Sequence, residues 1–243
     1  MKRVQIPMRH FFATPPAPCP YIDGRMERKV VTLLTGDDPD ALHDALSQAG
    51  FRRSQDLAYR PACEGCSACV PVRVRVAEFT EGRRYRRIRR RNEGVVARVM
   101  PAVAGREHYE LFRRYLEARH TGGGMANMGF ADYRSMIEET PVDSHLVEYR
   151  RPGGALYAVC LTDRMSDGLS LVYSFFDPDM EADSPGSYII LRHIEEARRE
   201  NLPYVYLGYW IAESAKMSYK ARFRPLEGLR PEGWRPLDGD HAG

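Results

Sequence analysis

Cys63, Cys66 and Cys69 stand three apart in the run CEGCSAC. Thiolates at that spacing can converge on one ion, because a tight turn between them brings the sulfurs to tetrahedral distances. Three is one short of a closed structural site. Cys19, in APCPYIDGR, is the best fourth candidate, whereas Cys160 lies in the apolar run ALYAVCL and reads as a small buried side chain. A Zn2+ ion or an iron–sulfur cluster on Cys19, Cys63, Cys66 and Cys69 is one reading. A reversibly oxidised thiol pair is a second, and plain reduced core cysteines are a third. Just downstream, RRYRRIRRR begins at Arg83, nearly uniform in sign and broken only by Tyr85 and Ile88. The bland reading of any charge run is a solvated helix face. With no matching acids inside it, this block is better suited to phosphate.

The scaffold that must position these groups is bounded by size and composition. A chain of 243 residues can form one large domain or two small ones with ample core. At 43% hydrophobic and 28% charged residues it reads as a soluble globular protein. No stretch nears the roughly 20 apolar residues that cross a bilayer. The opening MKRVQIPMRHFFATPP lacks an apolar run of the secretory kind. An odd count of 5 cysteines then points to a reducing cytoplasm. The net charge of +3 does not by itself demand a nucleic-acid partner; the asymmetry is local, between Arg83 and Arg91.

Asp38-Pro39 predicts a helix over residues 39–49, closed by Gly50. Residues 51–60 and 70–76 alternate as strands on either side of the cysteine turn, a knuckle rather than a helical finger. A strand over 95–103 and a helix over 106–119 follow, and Gly122-Gly123-Gly124 breaks the chain. Apolar runs at 145–149, 155–162 and 169–176, separated by Pro152-Gly153-Gly154 and Asp167-Gly168, suit an antiparallel meander. A helix over 184–201, with Ser184 as cap and Pro185 at its first position, and a strand over 204–209 complete an α+β pattern compatible with a GNAT-type acyltransferase. The expected division is a smaller Cys-containing α+β domain at 1–105 and a GNAT-like acyltransferase domain at 106–243.

Six strings occur in order along nearly the whole chain: PCPYIDGR, GFRRSQDLAYRPACEGCSACVPVRV, ARHTGGGM, DGLSLVYSFFDPD, GSYIILRHIEEAR and YVYLGYWIAESAKMSYKARFRPLE. On these the chain resembles the aminoacyl-tRNA protein transferases, and more narrowly the bacterial aspartate/glutamate leucyltransferases. The resemblance implies a cytoplasmic enzyme that moves leucine from leucyl-tRNA to the α-amino group of proteins beginning with Asp or Glu, marking them for degradation. Arginyl-tRNA is the alternative donor. The resemblance implies no cofactor for the chemistry and no membrane partner. The cysteine pattern departs from that of the eukaryotic arginyltransferases, so a cluster found in that branch is not carried over.

Aminolysis of an activated ester needs alignment more than strong acid or base chemistry. An α-amino group, with a reference pKa of about 7.7–8.0, is already partly neutral near pH 7. A carboxylate that orients the amine then suffices. Asp167 in SDGLS is the candidate, set against a plain role in the hairpin turn. Tyr209, Lys216, Ser218 and Tyr219 are candidate donors to the developing oxyanion, set against roles as packing and surface groups. Reading an acidic acceptor calls for a fixed cation, and arginine's planar fork matches a carboxylate. Arg25 and Arg60, near Tyr59, are expected to do this, set against bracing of the cysteine loops. Arg83, Arg84, Arg86, Arg87, Arg89, Arg90, Arg91 and Lys220 are expected to contact tRNA. His120 could approach the ribose or acyl group, although a helix-ending His is more often a cap. Two other classes compete. A coenzyme A dependent N-acetyltransferase would need a Gly-rich pyrophosphate turn that DSPGSY does not supply. A zinc and RNA-binding module would leave the C-terminal half without a task.

Overall fold

The computed structural model of the chain describes residues 9–119, 125 and 127–237. The 122–124 glycine break and His120 lie outside the described residues. The N-terminal part runs through strands β1 (Phe12–Ala13), β2 (Ala17–Pro18), β3 (Met26–Glu27) and β4 (Lys29–Leu33), helix α1 (Pro39–Gln48), and strands β5 (Arg52–Ser54) and β6 (Leu57–Pro61). Four of these strands form an antiparallel sheet in the order β1-β4-β6-β5, and β2 pairs with β3 in a separate ribbon. Helix α1 starts where expected: the Asp38 carboxylate accepts the Ala41 N–H at 2.9 Å, and Pro39 occupies the first turn, where a missing N–H costs nothing. Leu34, Leu46, Ala58 and Val142 close a small core beneath it.

The remainder builds a second, larger sheet. Its elements are β7 (Val70–Arg75), α2 (Arg83–Arg91), β8 (Val96–Pro101), α3 (Arg106–Arg119), α4 (Phe130–Glu138), β9 (Ser144–Arg150), β10 (Leu156–Met165), β11 (Gly168–Phe176), α5 (Pro185–Arg199), β12 (Tyr204–Trp210), α6 (Ala215–Ser218), β13 (Leu226–Arg230) and β14 (Gly233–Pro236). Short 3-10 turns span Pro178–Asp183 and Tyr219–Arg222. The eight strands run in the order β14-β13-β7-β12-β11-β10-β9-β8. Alternation along each strand splits the apolar residues between two faces. Ala158, Cys160, Val205 and Leu207 join one core with Ile88 of α2 and Ile189, Ile190 and Ile194 of α5. Val159, Leu161 and Phe175 join another with Leu111, Phe112 and Leu116 of α3 and Tyr133 of α4. The N-terminal sheet docks on this second face.

The α+β class and the antiparallel meander of β9 to β11 are those expected, and the C-terminal unit has a mixed sheet. Two details differ. Ser184 does not cap α5 with its side chain; it sits in the left-handed region at φ 58°, where the preceding turn reverses into the helix. The large sheet also crosses residue 105, since β7 and β8 lie before it and pair with β12 and β9.

Candidate functional site

Strand β11 is central in its sheet, yet residues 170–174 are only half-buried. The cause is its parallel neighbour. β11 and β12 pair at Gly168↔Tyr204, Leu169↔Val205 and Ser170↔Tyr206, and no further. Beyond that point the two strands part, leaving a cleft at their carboxyl ends. Ligands of open α/β sheets bind at the carboxyl ends of parallel strands where neighbours diverge.

Parting frees backbone groups that must be bonded elsewhere. Val172 is an extra residue opposite β10, between the pairs Leu161↔Tyr173 and Thr162↔Leu171. This bulge turns two successive carbonyls into the gap, and Arg52 of β5 fills it. Its Nη2 donates to Leu171 O at 2.8 Å and Val172 O at 2.9 Å. On the facing strand, Lys220 Nζ donates to Tyr209 O at 2.7 Å. Two cations thus replace the missing ladder. Room for Arg52 comes from Gly208, where an added Cβ would lie 1.9 Å from Arg52 Nη1 and the backbone is at φ +76°. A second bulge, between Tyr206↔Arg73 and Gly208↔Val72, brings Tyr209 onto the face that already carries Tyr206.

Lys220 is buried, and burial, aided by the charge of Arg52, pulls its ammonium down to about 7. It is therefore a bolt inside the sheet and does not serve as the surface tRNA contact expected of it. A stability effect follows. Between about pH 7 and the ordinary lysine value of 10.5, the unfolded chain holds a proton that the folded chain lacks, so folding gains as pH rises through that window. Below about pH 7 both states are charged and the burial cost is felt in full. Lys220→Met should remove an upward slope of at most about 1.4 kcal/mol per pH unit. Urea unfolding of both proteins at pH 7, 8 and 9 checks this, and parallel curves would count against it.

Beside the cleft, on the N-terminal side, lies a recess of about 550 Å³ including its open mouth, lined by Cys19, Cys63, Cys66 and Cys69 with Tyr21, Arg25, Lys29, Tyr59 and Tyr209. Arg25 Nη1 donates to Cys66 Sγ at 3.3 Å, and the Arg28 N–H donates to Cys63 Sγ at 3.4 Å. Burial and mutual repulsion with the other three cysteines push the Cys69 thiol up to about 12. The four candidate thiols do share one wall system. Among the described residues, however, no three His, Cys, Asp or Glu side chains converge closely enough to hold a metal ion. As arranged, the thiols do not fit a closed metal site. Lys29 Nζ stands 5.6 Å from the Tyr59 ring centroid and 2.9 Å from Glu27 Oε1. Arg60 points away from the recess; it donates to Ala49 O at 3.1 Å and lies over the Phe51 ring.

The other expected residues scatter. Asp167 sits at the amino end of β11, where it accepts from the Tyr206 hydroxyl at 2.8 Å. Its backbone carbonyl accepts from Tyr204 N at 3.1 Å, so it lies four residues, roughly 13 Å along the strands, from Leu171 and Gly208 where the cleft begins. It stands in the two-residue turn between β10 and β11. The Tyr209 hydroxyl is engaged by Gly50 O at 3.0 Å and Tyr59 O at 3.1 Å. Ser218 donates to Ala215 O, and the Tyr219 ring packs on the core, where burial pushes its hydroxyl up to about 12. Only Lys216 stays exposed at the carboxyl end of β12, reaching Arg119 O at 3.2 Å. Helix α2 divides its arginines. Arg89 pairs with Glu81 and Glu195, Arg91 donates to Ala182 O, and Arg86 donates to Glu81 O. Arg83, Arg84, Arg87 and Arg90 are exposed and make no side-chain pairing among the described residues. Tyr85 fixes the helix to the cleft's far wall by donating to Arg222 O.

Sequence reasoning missed Arg52 and the bolt role of Lys220. The available signal was Gly208 inside the strand YVYLGYW, since glycine within a strand marks a bulge or a close approach.

Two family models match the chain: "Arginine-tRNA-protein transferase, N terminus" over residues 17–87 and "Arginine-tRNA-protein transferase, C terminus" over residues 107–230. The aspartate/glutamate leucyltransferase of Paramagnetospirillum magneticum is 57% identical over 232 residues, covering 94% of this chain and 95% of that one. The protein of the same name from Brucella ovis is 52% identical over 239 residues, with 94% and 96% covered. Among solved structures, L-PGS from Bacillus licheniformis superposes with a TM-score of 0.48 at 13% identity, covering 66% of this chain and 58% of that one. FemX gives 0.44 at 10% identity, with 70% and 60% covered.

Proposed function

The chain belongs to the arginine-tRNA-protein transferase family, and from that premise we propose that it transfers leucine from leucyl-tRNA to the α-amino group of proteins beginning with Asp or Glu. The observation that carries this reading is the double placement of Tyr209. Its ring lines the cysteine recess, while its carbonyl lies in the cleft, bound by Lys220. A group held in the recess is therefore one residue away from a group held in the cleft.

In this reading the exposed arginines of α2 take the tRNA phosphates, and the aminoacyl ester enters at the carboxyl ends of β11 and β12. The acceptor's N-terminus lies in the recess, its acidic side chain facing Arg25. The free amine attacks the ester carbonyl carbon, and the ribose oxygen of the tRNA leaves with a proton. No cofactor is required for this step. The thiols brace the recess, and the cytoplasm, where tRNA is charged, is the place of action. No helix among the described residues is long and apolar enough to cross a membrane.

Electrostatics weigh on the alternatives. The turn before α5 carries Asp177, Asp179, Glu181 and Asp183, so the N-terminus of that helix faces acids rather than an open phosphate site. Those acids are already paired: Arg114 holds Asp177 and Asp179, Arg119 holds Glu181, and Arg151 holds Asp183. A neutralised rim suits an apolar leucyl group better than an arginyl cation. The test is direct: leucyl-tRNA or arginyl-tRNA is offered with peptides starting Asp, Glu, Lys or Ala, and the mass increment is read. Leucine should appear on the Asp and Glu peptides alone. No addition to either acidic peptide from either tRNA sinks the proposal, and arginine addition alone moves the donor to the alternative.

A further inference from the structure

Nothing in the family assignment says why the N-terminal sheet should reach into the cleft at all. Yet it does so through one side chain. Arg52 crosses from β5 into the gap between β11 and β12 and bonds the two carbonyls that the Val172 bulge turns outward. It also lies against Gly208 of β12, so its guanidinium touches both strands at the point where they part. Within its own sheet it pairs in register with Tyr59 of β6, whose ring lines the recess. Its charge is felt by Tyr21 and Tyr209 on the recess side and by Lys220 on the cleft side. A planar cation with one nitrogen bound by two carbonyls is fixed in place before any substrate arrives.

We propose that Arg52 is a positioning residue for transfer: it sets the separation of β11 and β12, and thereby the geometry in which ester and amine meet. This rests on the transferase reading above. Without the guanidinium, Leu171 O and Val172 O lose their partners, and the strands either close towards each other or admit water. Displacement of an aligned pair by about 1 Å is enough to cost on the order of 100-fold in rate. Affinity for tRNA, held by its phosphates on α2, and for peptide, held in the recess, should be largely spared.

The test uses the full chain with Arg52→Met, which removes the donors at similar volume, and Arg52→Lys, which keeps a charged donor. Arg52→Met should lower kcat by about 100-fold, with tRNA Kd and peptide KM changed by less than about 3-fold, and Arg52→Lys should recover at least about 10-fold of that loss. Amide hydrogen exchange over residues 171–174 and 207–210 should quicken in Arg52→Met at temperatures well below its melting point. That readout needs no activity, so it separates this proposal from the transferase reading. A parent protein inactive with both tRNAs defeats that reading, whereas unchanged exchange in these strands defeats the role of Arg52. A folded Arg52→Met with kcat within about 3-fold of the parent overturns the proposal. So does a loss confined to peptide KM, which would make Arg52 an acceptor contact. Should Arg52→Met fail to fold, Gly208→Ala displaces the same guanidinium from the other strand, and an unchanged kcat in that folded variant overturns the proposal equally.

Discussion

Asp163→Asn or Arg53→Met should each destabilise the fold by about 3–5 kcal/mol, the cost of removing one partner from a buried ion pair. Arg53 of β5 donates to Asp163 of β10 through Nε at 2.7 Å and through Nη2 at 2.6 Å. Ser144 adds a third bond to the same carboxylate at 2.6 Å, and His43 Nε2 stands 3.5 Å away. The side chains of Arg53 and Asp163 are 1% and 0% exposed. Neither charge can turn to water when its partner goes. The double variant Arg53→Met/Asp163→Leu, which buries no charge, should recover most of the loss, because a buried pair is often no better than apolar groups of similar volume. Denaturant midpoints of the three variants test this, and a single variant costing under about 1 kcal/mol refutes it. Since the pair joins the small sheet to the large one, the single variants should also lose the docked recess.

Replacing Arg83, Arg84, Arg87 and Arg90 together by Ala should remove most of the salt dependence of tRNA binding. Each phosphate contact contributes about 0.7–0.9 to the slope of log affinity against log salt, so four contacts give a slope near 3. Between 50 and 200 mM salt that amounts to roughly 60-fold in Kd, which the quadruple variant should not show. These four are chosen because Tyr85 and Ile88 are buried in the core and Arg86, Arg89 and Arg91 already have partners. A slope unchanged by the four substitutions returns the helix to an ordinary solvated face. Arg89→Ala serves as the contrast, since it breaks a bridge to Glu81 and Glu195 and should alter stability more than the slope.

Features fixed by short-range rules were readable in the amino-acid order. The Asp38-Pro39 start of α1, the alternation of β7 and the turn at Asp167-Gly168 each follow from a few neighbouring residues. The division of labour along α2 was not, because which arginines stay free depends on acids such as Glu195 more than 100 residues away. The cleft was hidden for the same reason. Its demand for two N–H donors arises only when β11 and β12 diverge after three paired positions, and Arg52 and Lys220 come from opposite ends of the chain to meet it. Asp167 and Tyr209 looked alike as polar groups in well-matched motifs. Strand direction separates them, since they stand at opposite ends of β12.

β7 comes from the segment matched by the N-terminal family model, yet it lies between β12 and β13 in the middle of the large sheet. The two halves therefore cannot be traded between relatives like beads on a string. Cutting the chain beyond β7, where the N-terminal match ends, would strip β12 of its antiparallel neighbour and present a bare row of N–H and C=O groups to any other chain. Recombination that pairs one lineage's acceptor-reading half with another's transfer half must carry β7 across with its own sheet, or yield a protein that aggregates before it can be selected. Inheritance as a single block is built into the strand order.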